Sequence, residues 1–159
     1  MARIDLTGFE DALAEMRKRG EQSGPVALAL LGVGAAAAVE SWRETITRLG
    51  LVDTGAMRDS IAPSAPKDSG GILYREITAK GTDAKGTRNG EKAFILHYGT
   101  SRIKASYWWD TAERDAEPKV TAAMTAAWNS YTETGDVPAA AAEGVFTSTA
   151  GRRRRSRSK

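Results

Sequence analysis

Two long helical patterns enclose a central block, and this arrangement limits the possible folds more than any other feature of the sequence. The first pattern runs from Pro25 to Leu49 and the second from about Tyr107 to Tyr131. Proline is favoured at the first position of a helix, and Gly50 is suited to end one, so the first pattern has defined limits. We therefore predict an α+β fold in which a long N-terminal helix and a C-terminal helix pack on a small β-sheet.

The central block carries the predicted sheet. Residues Ile72 to Thr78 are β-branched and aromatic enough for a strand, and Lys92 to Tyr98 form a second apolar run of strand length. The polar segment Gly81 to Gly90 is punctuated by glycine and lies between these runs. We predict a mostly antiparallel sheet with a mobile hairpin tip at Thr82–Asn89, and a further strand near Ser60 is left open.

The chain divides into three parts by composition. Residues 1–24 form an N-terminal helix or arm, with an amphipathic pattern from Thr7 to Arg19. Residues 25–132 form a single α+β core domain. Residues 133–159 are rich in alanine and arginine without a sustained period, and we expect this tail to stay flexible until a partner orders it.

Composition excludes several classes of site. The chain has no cysteine and one histidine, so disulfides, thiolate metal sites and histidine-rich zinc sites are not expected. We expect no metal and no cofactor. The N-terminus shows no secretory signal, and the apolar run Val26–Val39 is shorter than the roughly 20 residues that a bilayer requires. We therefore expect no membrane span and a reducing cytoplasm.

The positive charge is concentrated in one short segment. The net charge is +3, and six cations at the C-terminal end leave a net charge of −3 on the rest of the chain. A cluster of this kind can contact DNA phosphates without reading sequence, and it is equally typical of a solvated tail. The candidate DNA contacts are Arg152, Arg153, Arg154, Arg155, Arg157 and Lys159.

Three motifs follow one another in a particular order. Thr54-Gly55-x-Met57-Arg58-x-Ser60-Ile61 precedes a loop-rich β-segment, which leads to Phe94-Ile95-Leu96-His97-Tyr98-Gly99-Thr100 and then Tyr107-Trp108-Trp109. Over residues 25 to 131 this order resembles the tail-completion, or head–tail joining, family of long-tailed bacteriophages. His97 departs from the acid that such proteins usually carry, and the aromatic triplet replaces a more usual Pro-Phe pair.

The resemblance implies a structural virion protein of the neck or tail, without enzymatic activity. It implies a ring of identical subunits, expected as a hexamer, around the DNA channel, with the head connector or stopper and the tail terminator or tail tube as neighbours. The protein is expected in the host cytoplasm during assembly and in the virion afterwards, with DNA close by in the neck lumen. The expected interface residues are Thr54, Gly55, Arg58, Thr82, Asp83, Lys85, Arg88, Asn89, His97, Tyr107, Trp108 and Trp109.

An enzymatic alternative rests on Val52-Asp53-Thr54-Gly55-Ala56, which resembles the active-site signature of retroviral-type aspartic proteases. In those enzymes one aspartate from each of two subunits shares a proton, and the aspartate stands on a loop between strands. Here a helical pattern precedes the motif and Met57-Arg58 follows it. We favour a turn and helix-capping role for this stretch.

His97 and the aromatic triplet also have more than one interpretation. His97 is the only imidazole, so a nucleophilic arrangement would depend on it, with Ser60, Ser101 or Ser106 as a partner. An apolar setting favours a structural or interface role for this histidine. The triplet Tyr107-Trp108-Trp109 suits the core first, a subunit interface second and base stacking last.

Overall fold

The computed structural model describes residues 2–6, 8–18 and 23–136. Helices and an antiparallel sheet both occur in this part of the chain, and the α+β class is confirmed. The elements in chain order are β1 (Ala2–Asp5), α1 (Glu10–Lys18), α2 (Ser23–Arg48), α3 (Ala56–Asp59), β2 (Ile61–Pro63), β3 (Lys67–Ser69), β4 (Ile72–Ala79), α4 (Asn89–Tyr98) and α5 (Trp108–Thr134).

Strand β4 is the centre of a four-stranded sheet, and every strand that pairs with it is antiparallel. On one side β1 pairs with β4, with Ile4 opposite Arg75. On the other side β2 and β3 pair with different parts of β4, with Ile61 opposite Ala79. The turn between β3 and β4 contains Gly70-Gly71, both in the left-handed region that glycine adopts readily. The predicted strand at Ile72 is confirmed.

The two long helices pack against each other, and α2 also packs on the sheet. Trp42 of α2 and Trp108 of α5 meet edge to face, with ring centroids 5.4 Å apart, and both side chains are buried. Gly34 permits close approach, because a Cβ atom there would lie 2.8 Å from Sδ of Met124. The core therefore lies between α2, α5 and the inner face of the sheet, where Ile77 is fully buried.

Helix α2 is apolar over much of its length, and about half of its residues are buried. By length and composition alone, Ser23–Arg48 passes a test for a helix able to cross a membrane, and half of its apolar window is buried inside the protein. Its buried face includes Val26, Leu30 and Ile46, which contact the core. Packing against α5 and the sheet is therefore sufficient to explain the apolar pattern of this helix.

The prediction of a strand at Lys92–Tyr98 is wrong. This run belongs to α4, which buries Ala93 and His97 four residues apart and exposes Phe94 and Tyr98. A short, continuously apolar run fits a buried strand and a packed helix equally well by composition. The helix forms here because one narrow stripe faces the core while the other apolar side chains lie outside it.

The predicted mobile hairpin tip at Thr82–Asn89 is also wrong. The segment is the connection from β4 to α4, and it is held by internal hydrogen bonds. Thr82 and Arg88 form a β-bridge, and the backbone N–H of Asp83 donates to the carbonyl of Thr87 over 2.9 Å. Polar composition suggested mobility, but a carboxylate that accepts backbone N–H bonds can order such a loop without apolar burial.

The N-terminal part contains one element that the sequence did not indicate. The predicted helix at Thr7–Arg19 is observed as Glu10–Lys18, but Ala2–Asp5 form β1, an integral strand of the core sheet. At the other end α5 continues to Thr134. The six candidate DNA-contacting cations lie outside the described residues.

Candidate functional site

Hydrogen bonds at both ends fix the limits of α4. At its start the backbone N–H of Asn89 donates to the carbonyl of Gly81 over 3.0 Å, and its side-chain amide donates to the carbonyl of Lys80 over 2.9 Å. At its end the N–H of Gly99 donates to the carbonyl of Ile95 over 2.7 Å. These bonds attach the start of α4 to the residues that follow β4, and the helix ends in a turn at Gly99.

The outer side of α4 carries exposed aromatic rings. Phe94 and Tyr98 stand one turn apart, with ring centroids 4.6 Å apart, and they are 55% and 54% exposed. Tyr107, just before α5, is 58% exposed and lies close to His97, with centroids 5.7 Å apart. We call Phe94, Tyr98 and Tyr107 the aromatic patch. Exposed aromatic clusters of this kind are typical of protein–protein contact sites.

His97 joins α4 to α5 from beneath this patch. Its side chain is buried, and its Nδ1 atom accepts a hydrogen bond of 3.2 Å from the backbone N–H of Trp109. The imidazole packs edge-on against Tyr98, at 4.4 Å between centroids, and lies 4.7 Å from the ring of Trp109. His97 therefore acts in this chain as a structural connector that holds the rings in place.

The aromatic triplet divides between core and surface. Trp108 is fully buried, and its indole N–H donates to the carbonyl of Ala93 over 3.0 Å, so it belongs to the core. Trp109 is half-buried. Tyr107 has a φ of +49°, which is uncommon for an aromatic residue and turns its ring outward. Of the three, Tyr107 is the one that offers most of its surface to another molecule.

An apolar groove lies beside the aromatic patch. Its volume is about 270 Å³, and its walls come from the loop before α3, from α4 and from the connection after α4. Ile95 lines the groove and stands one turn from Tyr98, so the groove and the patch are adjacent on α4. We call this the α3–α4 groove; its lining residues are Leu51, Val52, Asp53, Thr54, Gly55, Met57, Arg58, Lys92, Ile95, Leu96 and Ile103.

Charged side chains position the α3 side of the groove. Arg43 of α2 donates from one Nη atom to the carbonyls of Asp59 and Ile61, each over 3.0 Å. Arg58 Nε lies 2.7 Å from Oδ1 of Asp59, and this hydrogen bond lowers the pKa of the Asp59 carboxyl. Thr54 accepts from the N–H of Ala56 over 3.4 Å, as the capping interpretation predicted. The groove wall is therefore built on α2.

Asp83 orders the connection that precedes α4. Its Oδ1 atom accepts from the N–H groups of Lys85, over 2.9 Å, and Thr87, over 2.8 Å, while Oδ2 meets Nζ of Lys92 at 2.5 Å. The hydrogen bond from Lys92 is the largest cause of a lowered pKa for the Asp83 carboxyl, and the bond from Thr87 adds to it. Lys92 also lines the groove, so this ion pair ties the loop to the groove.

The twelve predicted interface residues fall into three groups. Thr54, Gly55 and Arg58 line the groove, and Tyr107 belongs to the adjacent patch, so these four come together. The exposed loop residues Thr82, Lys85 and Arg88 are available at the surface. Five others face inward or are half-buried and hold the fold: Asp83, Asn89, His97, Trp108 and Trp109.

Sequence reasoning missed Phe94, Tyr98 and Ile103 as surface residues. Phe94 and Tyr98 were assigned to a strand, and Ile103 lies in the connection between this run and the C-terminal helix. The i, i+4 spacing of Ala93 with His97 and of Phe94 with Tyr98 was the available signal, because it separates two sides of one helix.

The enzymatic interpretations involve Ser60, Ser106 and Asp53, and the structure shows the setting of each. The hydroxyls of Ser60 and Ser106 donate to the carbonyls of Met57 and Leu96 rather than to His97. Asp53 is exposed beside the groove and follows the long helix α2, whereas the protease signature requires a loop between strands. Within the described ranges no group of three or more metal-ligating side chains is found.

Comparison of the chain with protein-family models, with curated proteins and with solved structures finds no match.

Proposed function

We propose that this chain is a structural subunit of the neck or upper tail of a long-tailed bacteriophage, which helps to join the DNA-filled head to the tail. The observation that carries the proposal is the position of the α3–α4 groove and the aromatic patch. The groove is lined by residues of the Thr54–Ile61 motif and of the Phe94–Thr100 motif, and Tyr107 of the third motif stands in the patch. The three motifs on which the resemblance rests thus meet at one surface.

The chemistry of this surface supports a role in protein contact. Phe94, Tyr98 and Tyr107 are each more than half exposed, and Ile103 is 43% exposed. Aromatic residues bury a large area at a small entropic cost, which favours them as anchors of interfaces. Their supports, His97 and Trp108, are buried and hydrogen-bonded, so the anchors are pre-organised.

A ring of identical subunits requires two different faces on each copy. The groove and patch form one candidate face, on the α3–α4 side. The side of β1 away from β4 is a second candidate, because within the described part of the chain β1 stands at the edge of the sheet, with β4 as its one strand neighbour. We expect neighbours in the ring, or a head or tail protein, to contact these two faces.

Electron microscopy of phage particles tests the proposal. The parent phage would carry an early stop codon in this gene and would be grown on a host with and without a nonsense suppressor. We expect filled heads beside separate tails of normal length without the suppressor, and joined particles with it. Ordinary infectious particles under both conditions would overturn the assignment.

A second candidate function is non-specific DNA binding through the cations of residues 152–159. It is favoured by their number and spacing alone, since six positive charges stand within eight residues. Full-length protein would then bind duplex DNA with a log–log salt slope of at most about −5, and a chain cut after Gly151 would lose this binding. A slope that is unchanged by the cut would exclude this segment as the cause.

A further inference from the structure

A second and larger depression lies along the first half of α5. Its volume is about 710 Å³, and it opens between β1 and the first half of α5. Apolar side chains, including Phe9 and Val120, form part of the floor, and charged side chains line the walls. We call it the β1–α5 cleft.

One wall of the β1–α5 cleft is a row of carboxylates. Asp110, Glu113 and Glu117 follow one another at intervals of three and four residues along α5, so they project from the same side of the helix. All three are exposed, and none forms an ion pair with a cation among residues 2–6, 8–18 and 23–136. Three negative charges on one wall therefore lack a positive partner.

The two arginines that line the cleft are engaged elsewhere. Arg3 stacks on the ring of Tyr74, with its guanidinium carbon 4.1 Å from the centroid. Arg114 lies 3.8 Å from a carboxylate oxygen of its neighbour Asp115. The local charge of the row is therefore not neutralised by these side chains.

The floor of the cleft also holds an unused donor. Trp42 lines the cleft and is 1% exposed, and its indole N–H has no hydrogen-bond partner in the part of the chain that the structure describes. Buried indole N–H groups usually find an acceptor, because leaving a buried polar group unpaired is costly. The indole nitrogen is itself covered, so a backbone carbonyl of a peptide in the cleft would reach it only after the side chains over it move apart.

We propose that the β1–α5 cleft binds the arginine-rich segment Arg152–Lys159 of the same chain. The charges are complementary, since the segment carries six cations and the rest of the chain carries a net charge of −3. Arginine pairs with carboxylates through two parallel hydrogen bonds, and consecutive arginines match a row of carboxylates along a helix. The inference does not depend on the proposed function, because it is argued from the charges of the cleft and the segment and not from the α3–α4 groove or the aromatic patch.

The connection is long enough for the segment to return to its own cleft. Fifteen residues lie between Asp136 and Arg152, and they span about 50 Å when extended. From Thr134 back to Glu117 the helix rises only about 26 Å, at 1.5 Å per residue. The segment can therefore reach the carboxylate row without strain, at the high effective concentration that a tether provides.

Disulfide trapping in the full-length chain tests this proposal. The natural sequence has no cysteine, so within one chain two introduced cysteines have no other thiol to pair with. One variant combines Ser156→Cys with Thr121→Cys, which lines the cleft. The matched control combines Ser156→Cys with Ala122→Cys, the next residue of α5, which is exposed and outside the cleft lining.

We expect the disulfide to position 121 to form about tenfold faster than the disulfide to position 122, within monomers at low protein concentration. Asp110→Asn, Glu113→Gln and Glu117→Gln, introduced together, should abolish the difference, as should about 1 M salt. Circular dichroism of the triple variant checks that it folds. Equal rates at both positions would overturn the proposal, and a dimer linked from position 156 of one copy to position 121 of another as the main product would assign the segment to a second copy instead.

Discussion

The backbone N–H of Trp109 donates to Nδ1 of His97 over 3.2 Å, and this bond connects the last turn of α4 with the first turn of α5. The accepting nitrogen carries no proton in this arrangement. Because the same imidazole packs against Tyr98 and Tyr107, the bond fixes the orientation of the exposed rings as well as the angle between the helices. His97, which the enzymatic interpretation treats as a base, thus supports the rings of the aromatic patch.

His97→Ala should lower the free energy of unfolding by about 3 kcal/mol, because it opens a cavity and leaves the N–H of Trp109 without an acceptor. His97→Asn should recover part of this loss, since its side-chain oxygen can accept the bond. Urea denaturation measures both. Tyr98→Ala, on the exposed side of α4, is the control and should cost much less. Equal losses for His97→Ala and Tyr98→Ala would contradict the supporting role.

Gly99→Ala should be among the most destabilising single changes in the chain. Gly99 has a φ of +76°, and a Cβ atom would lie 2.6 Å from the carbonyl oxygen of Ile103 and from the backbone nitrogen of Ala105. Backbone atoms cannot move aside as a flexible side chain can, so we expect a loss of about 3 kcal/mol or more.

Gly135→Ala provides a comparison without the close contacts, at a glycine whose ψ is −2° rather than the −176° of Gly99. Gly135 has the same φ of +76°, and no atom lies within 4 Å of a Cβ built there. It should therefore show only the cost of a left-handed conformation, about 1 kcal/mol. Thermal and urea unfolding of the two variants provide the comparison. If Gly135→Ala is as destabilising as Gly99→Ala, close packing at Gly99 is not the reason.

The long helices and β4 were predictable because each carries a pattern that repeats over its length. Helix α2 begins near Pro25 and ends before Gly50, as proline and glycine at those positions indicated. Strand β1 was missed because Ala2–Asp5 is only four residues long and its partner lies about seventy positions away. The pairing of β1 with β4 is a tertiary contact, so no local sequence pattern indicates it.

The candidate site was only half predictable for a related reason. Thr54 and Arg58 were identified, and they do line the groove, but the opposite wall was assigned to a strand. In a short run such as Ala93–Tyr98, large apolar residues occupy almost every position, so composition alone distinguishes poorly between a period of two and a period of 3.6. The run is a helix because of the hydrogen bonds at Asn89 and the turn at Gly99, and both depend on the folded surroundings.

Gly34→Val should destabilise the protein by about 1–3 kcal/mol, because added methyl groups would enter the contact between α2 and α5. A Cβ atom at this position already meets Sδ of Met124 at 2.8 Å and Cγ1 of Val120 at 3.3 Å. Gly24→Val lies in the first turn of the same helix, with no atom within 4 Å of the new Cβ, and should be nearly neutral. Urea unfolding measures both variants. Because valine has a higher helix propensity than glycine, a loss at Gly34 that Gly24→Val does not share reports packing, and a similar loss in both variants would contradict the packing explanation.

Asp83→Asn should destabilise the protein at neutral pH and have less effect in acid. The pKa of the Asp83 carboxyl is lowered from 3.8 in the folded state, chiefly by Lys92, so folding favours the ionised form. This contribution is complete above the unfolded pKa and is lost as the pH falls through the lower folded value. Urea unfolding at pH 7 and at progressively lower pH measures the convergence. Asp53→Asn is the exposed control and should change little; a pH-independent effect at Asp83 would exclude the ion pair as its cause.

The aromatic patch gives the sharpest test of assembly, because its residues can be changed without disturbing the core. Phe94→Ser and Tyr107→Asn remove exposed rings, and asparagine tolerates the positive φ of position 107. Both variants should keep the free energy of unfolding within about 0.5 kcal/mol of the natural chain.

When they replace the natural protein in the phage, the number of joined particles should fall at least about tenfold, as expected when an interface anchor worth about 1.4 kcal/mol or more is lost. Leu28→Ser removes an exposed apolar side chain of α2, outside the patch and the groove, and should leave assembly unchanged. If all three variants assemble normally, the patch is not the surface that joins this protein to its neighbours.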